Sequence, residues 1–210
     1  MNAIEHTFKF ELERHQVLEA VGSLFHTILF LRSCRKHFNK VEPFWDNMSL
    51  FEDVDCDFFE LTYIRCCSLK LKQHVEEEIS KFCNQLLEDD AEKTGKISLE
   101  FYRLSKSLFG QEQQHVWEVW NIEVEIVSFR TTMDRDIHRE QTTELITNAI
   151  IEINRSISNN NYIPDLESIL DTRFDNVQPY LFNILYETTP VSPSVSSMLW
   201  RFMFGNSFFS

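Results

Sequence analysis

Three aspartates, Asp53, Asp55 and Asp57, alternate along the chain with Val54 and Cys56 between them, the spacing with which a calcium loop begins. Such a loop takes carboxylates at positions one, three and five, a glycine at six and a bidentate glutamate at twelve. Here position six is Phe58 and position twelve is Ile64, so that chemistry is not encoded. On an extended chain the three carboxylates share one face, and Val54, Cys56 and Phe58 share the other. That alternation predicts a solvated edge running into a core strand.

Other reactive types are equally scattered. The seven histidines form no HExxH and no HxH, and His15, His26 and His37 are too far apart to pair at i, i+4. With Cys34 they do not make a zinc spacing. Cys66 and Cys67 on a strand point to opposite faces. A Cys–His nucleophile would need tertiary assembly, and cysteines of this kind read as small core residues. Gly22, Gly95, Gly110 and Gly205 stand apart from one another, which excludes a phosphate cradle. The expectation is a chain with no catalytic residues, no metal and no cofactor.

Aromatic residues carry more information, since there are 19 Phe against 4 Gly and 5 Pro. Trp117 and Trp120 differ by three on a predicted strand and are expected on opposite faces, one in the core and one covered by something else. Leu108 and Phe109 lie beside Gly110 in a polar link where no local pattern buries them. The tail carries Trp200, Phe202, Phe204, Phe208 and Phe209, either a docked terminal helix or a partner-binding segment. Phe and Trp are effective anchors at partner surfaces.

The elements that must position these residues follow from hydrophobic period. Thr7 to Leu12 alternates and reads as a strand. A helix is predicted from Glu13 to Arg32, with an apolar stripe wide enough for burial on more than one side. Arg32, Arg35 and Lys36 at its end suit the helix dipole. Residues 37–54 read as irregular, and the run from Cys56 to Cys67 as β-rich. A second helix starts near Ser68, with Val75, Ile79, Phe82 and Leu86 on one face. Glu88 to Gly95 reads as a polar turn. Lys96–Tyr102 and Val116–Phe129 form a hairpin whose link, Ser105 to Gln114, projects. A long helix runs from Thr132 to Ile157, ended by Asn159-Asn160-Asn161. Val177 to Glu187 reads as a strand that Pro179 confines to an edge or to its first residues. From about residue 188 the chain is a tail with a short terminal helix. There is no repeat and no domain boundary, so the pattern predicts one α+β domain: a mostly antiparallel sheet with three main helices packed on it.

Composition sets the outer limits. A chain of 210 residues with 43% hydrophobic and 25% charged residues fits a single self-sufficient domain. The net charge of −13 disfavours nucleic acid and anionic membrane surfaces as partners. Five cysteines without a CxxC pair, no signal-peptide pattern at the N-terminus and no spanning run predict a cytosolic, reduced protein without direct membrane insertion.

Five strings occur in order: Phe25-His-Thr-Ile-Leu with Leu31-Arg-Ser33; Asp53-Val-Asp-Cys-Asp-Phe58 with Thr62-Tyr-Ile-Arg65; Ile97-Ser-Leu-Glu-Phe-Tyr102; Trp117-Glu-Val-Trp120; and Asp175-Asn-Val-Gln-Pro-Tyr-Leu181. Together they resemble the autophagy-related protein 101 family. The resemblance implies a single HORMA domain over residues 1–210. It implies a non-catalytic subunit that pairs with and stabilises the HORMA domain of autophagy-related protein 13, and through it meets the autophagy-initiating kinase and its scaffold. It further implies recruitment of later factors and a cytoplasmic protein that gathers at the preautophagosomal structure. Vertebrate members carry a Trp-Pro-Phe finger before the Trp-Glu-Val-Trp strand. Here the link reads Lys106-Ser-Leu-Phe-Gly-Gln-Glu112, leaving Leu108 and Phe109 as the finger-equivalent protein-binding residues. Trp200 and Phe204 of the tail are the second candidate pair. Two other readings compete: a peptide-clasping HORMA adaptor of the checkpoint or DNA-repair kind, for which Pro190, Pro193 and a short tail leave little belt, and a cysteine-dependent hydrolase.

Overall fold

The computed structural model describes residues 3–34, 51–86, 93–106, 112–159, 162–165, 168, 169, 171, 173, 174, 177 and 179–190. The alternating segment Ile4–Leu12 forms strand β1, longer at its start than the pattern predicts. A single 3-10 turn, Arg14–Gln16, follows, and its start is fixed by a hydrogen bond from the Glu13 N–H to Gln16 Oε1. Helix α1 is Val17–Cys34. Strands β2 (Phe51–Asp55) and β3 (Thr62–Cys66) precede helix α2 (Leu69–Leu86). Strands β4 (Lys93–Lys106) and β5 (Glu112–Ile126) lead into helix α3 (Thr132–Asn159), and β6 is Phe182–Pro190.

The helix starts are chemically marked. Ser68 Oγ accepts the Leu71 N–H at the start of α2. Thr131 Oγ1 accepts the Asp134 N–H and donates to the Asp134 carboxylate, a cap that also places an anion at the positive end of α3.

One four-stranded sheet has the order β1-β5-β4-β6, and β2 and β3 pair separately as an antiparallel hairpin. β4 is antiparallel to β5 and β6, whereas β1 runs parallel to β5. The fold is therefore α+β with a mostly antiparallel sheet and three main helices, as the period predicts. Phe10, Leu12, Ile97, Leu99, Phe101, Trp120, Ile122, Val124 and Phe182 lie in the core that the helices close. α1 packs against α2 and α3, and β3 packs on it as well, while α2 meets β4 and β6, and α3 meets β1. This enclosure explains the wide stripe on α1, where even His26, Ser33 and Arg32 are buried.

The reverse face of the sheet is mostly polar, with Leu185 exposed on it, and several of its polar groups pair with one another. Ser98 Oγ donates to Asn121 Oδ1 and Asn121 Nδ2 to Thr7 Oγ1, across three strands. Lys9 pairs with Glu123 and Lys96 with Glu187 one row further along.

Five expectations are corrected. Residues 51–54 are strand, because Phe51 and Val54 gain cross-strand partners in Cys66 and Tyr63 that no local pattern announces. The β-rich run is interrupted: residues 57–60 bend between the strands. Gly95 is inside β4 and not in a turn, and a Cβ there would meet Phe82 Cε2 at 2.7 Å and Leu86 Cδ1 at 2.9 Å, so its small size admits α2. Trp117 and Trp120 both enter the core, because the register slips between Phe101 and Tyr102 and leaves Trp117 as the extra residue of a bulge. Residues 188–190 belong to β6, so the tail starts later than expected.

Candidate functional site

The finger-equivalent Leu108 and Phe109 and the tail residues Trp200 and Phe204 all lie outside the described residues. The hairpin that carries the link is described: β4 and β5 stay paired out to Lys106 and Glu112, further than the pattern predicts.

The candidate reactive residues are not brought together. Among the described residues no three His, Cys, Asp or Glu side chains gather as a metal site would require. His26 is enclosed between α1 and the hairpin, stacked on Tyr63, and burial lowers its pKa to about 3. Burial, with Glu19 and Asp57 nearby, pushes the Cys56 thiol up to about 12, and burial raises Cys83 to about 11. Cys67 moves the same way. A nucleophilic cysteine needs its pKa lowered, so these three thiols are held in the unreactive form. The aspartate series does take the alternating arrangement, with Asp53, Asp55 and Asp57 exposed and Val54 and Cys56 half-buried. It forms the outer strand and tip of the separate hairpin.

What the surface does present is apolar. Helix α3 buries Thr142, Ile146, Ala149, Ile153 and Ile157, all within one side of the helix. At 100° per residue, Met133, Ile137 and Ile151 fall on the opposite side, with Glu140 and Glu144 on that side between Ile137 and Ile151. Met133, Ile137 and Ile151 are 71%, 45% and 50% exposed, and Leu145 beside them is 53% exposed. Leu145 and Ile151 also line a groove of about 420 Å³ between α3 and β1, whose lining is mixed: Phe8, Phe10 and Ala149 stand beside Lys9, Asn148, Glu152 and Arg155. Long apolar side chains on the outer side of a surface helix are where a protein partner gains most by covering them. Sequence reading followed only the Ile146–Ile157 stripe and missed these side chains. A helical wheel over 132–159 would have shown them.

The architecture is thus an α+β domain with exposed apolar side chains on α3 and, among the described residues, no gathered metal ligands. Comparison with known proteins places it further. Residues 9–169 match the family model for autophagy-related protein 101. The chain is 33% identical to Autophagy-related protein 101 of Xenopus tropicalis over 210 residues, covering 96% of each chain. It is 31% identical to that of Homo sapiens over the same share of both chains. The Arabidopsis thaliana protein is 27% identical over 120 residues, covering 56% of this chain and 50% of the plant one. The chain belongs to the autophagy-related protein 101 family, and with it to the proteins of autophagy. No described helix is long and apolar enough to cross a membrane.

Proposed function

We propose that this chain is a non-catalytic adaptor of autophagy initiation with a HORMA fold, which pairs with and stabilises the HORMA domain of autophagy-related protein 13. Through that domain it joins the autophagy-initiating kinase and its scaffold, and it helps bring later factors to the forming autophagosome. It works in the cytoplasm, collects at the preautophagosomal structure, and engages neither nucleic acid nor the bilayer interior.

Family membership supports the process, and the exposed Met133, Ile137 and Ile151 on α3 are the observation that supports the pairing. A stable 1:1 interface buries roughly 1,200–2,000 Å² in total and is centred on a few apolar anchors. These residues supply such anchors, whereas on the reverse face of the sheet Ser98, Asn121, Lys9 and Lys96 already have partners within the chain. The thiols held up by burial argue against a cysteine-dependent activity.

The test is light scattering after size exclusion, with the chain and the partner HORMA domain mixed at micromolar concentration. A single species with the summed mass is expected. Separate elution of the two would remove the reading.

A further inference from the structure

We propose that the outer side of the β2–β3 hairpin is a second docking surface, for a basic and partly apolar segment of another protein. It is separate from the exposed α3 residues, because β3 and α3 each pack on α1.

The hairpin is built against local preference. Aspartate is a poor strand former, yet β2 carries it at Asp53 and Asp55, and Asp53 faces Ile64 directly across the ladder. Between residues 51 and 66 five carboxylates stand against one base, Arg65. That base is already taken, at 2.7 Å from Glu52 and 4.0 Å from Glu76. Asp55 accepts a bond from the Thr62 hydroxyl at 2.6 Å. The carboxylates of Asp53 and Asp57 meet no cation among the described residues. Carboxylates that meet no cation among the described residues and do not suit their strand are complemented by an external cation.

Apolar groups stand among these charges, and the fold holds them outward. Ile64 is 36% exposed and Phe58 is 39% exposed. The tip that carries Phe58 is fixed from α1. Both oxygens of the Glu19 carboxylate accept backbone N–H bonds, from Asp57 at 2.5 Å and Phe58 at 2.9 Å. The Phe58 ring rests edge-on against His15, 4.7 Å between centroids. On the other side of the hairpin Tyr63 stacks on His26 of α1, whereas Asp53, Asp55, Thr62 and Ile64, which alternate onto the opposite side, are exposed. A rigidly presented aromatic costs a partner little ordering entropy. Lysine or arginine side chains meeting Asp53, Asp55 and Asp57, with an aliphatic or aromatic neighbour over Ile64 and Phe58, complement this surface in both charge and polarity.

The experiment is fluorescence anisotropy on the full chain with two short labelled probes, one alternating lysine with leucine and one alternating glutamate with leucine. The lysine probe is expected to bind and the glutamate probe not. Raising salt from about 50 to 300 mM is expected to weaken binding about tenfold, since the contacts are exposed. Asp53→Asn with Asp57→Asn, and separately Phe58→Ser with Ile64→Ser, are each expected to lower affinity at least about tenfold at unchanged melting temperature. Neutralising the two α3 carboxylates, Glu140→Gln with Glu144→Gln, is expected to change it by less than about twofold. An equal loss in that control would mean attraction to the overall charge of −13 and would overturn the proposal. So would unchanged binding by the Phe58/Ile64 variant, or light scattering in which the chain alone dimerises until Asp53 and Asp57 are neutralised, which would make a second copy the occupant.

Discussion

Arg32, in the last turn of α1, and Glu118, in the centre of β5, form an ion pair that is wholly buried on both sides. Arg32 Nε donates to Glu118 Oε2 at 2.8 Å and its Nη2 donates to Oε1, a two-pronged contact between residues 86 apart in sequence. The guanidinium also lies over the ring of Trp117, 5.4 Å from its centroid. One pair thus fixes the end of α1 to the bulged part of the sheet.

Breaking this pair from one side leaves a charge in the core. Arg32→Met or Glu118→Gln alone is expected to cost about 3–5 kcal/mol in urea unfolding. Replacing both with apolar residues of similar volume is expected to cost much less. Equal losses in the single and double variants would show that packing matters here and charge does not.

The buried histidine makes stability depend on pH. The folded pKa of His26 is lowered to about 3 by burial, with Arg65 and Lys72 adding to the effect, against 6.5 for the exposed group. The folded state therefore binds fewer protons, so the stabilisation is complete above pH 6.5 and is lost as pH falls towards 3. The slope from this residue reaches at most about 1.4 kcal/mol per pH unit. His6, His74 and His138 shift the same way. Urea midpoints at pH 7 and pH 5.5 are expected to differ less in His26→Phe than in the native chain. An unchanged difference would assign the pH dependence elsewhere.

The thiols offer a direct chemical check. With Cys56 pushed up to about 12 and Cys83 to about 11, alkylation of each at pH 7.5 is expected to be at least about tenfold slower than that of a free thiol. Mass spectrometry of the digested chain reads each site. A cysteine labelled faster than the free thiol would revive the hydrolase reading.

Gly95 tests the packing of α2 on β4. Gly95→Ala pushes a methyl into Phe82 and Leu86, whose ring edge and methyl end must move. A loss of about 1–3 kcal/mol is expected, with partner binding intact. No loss would mean the helix shifts freely over the strand.

Much of the frame was legible because its residues alternate or recur locally. Val75, Ile79, Phe82 and Leu86 lie in the core as their spacing requires, and so do Ile97, Leu99 and Phe101. What escaped was set by long-range partners. Arg32 read as a helix-end charge, but Glu118 draws it into the core. β2 was hidden because its exposed residues are mostly acidic, and acids at alternate positions resemble a solvated loop. Trp117 changed side because it is itself the extra residue of a bulge, a slip seen only in its pairing with β4. The parallel pairing of β1 with β5 joins segments more than 100 residues apart, beyond any local pattern. Met133, Ile137 and Ile151 stand about half a turn from the buried stripe, but Glu140 and Glu144 share their side, so no unbroken apolar period announced them.

The proposed pairing sets the outer side of α3 against the HORMA domain of autophagy-related protein 13. Its most direct test is isothermal titration of that domain into the native chain and into the variant Met133→Ser, Ile137→Ser, Ile151→Ser. These side chains are exposed, so the melting temperature is expected to hold while affinity falls by at least about a hundredfold, as the loss of several anchors implies. Equal affinity in the two proteins at equal stability would contradict the account.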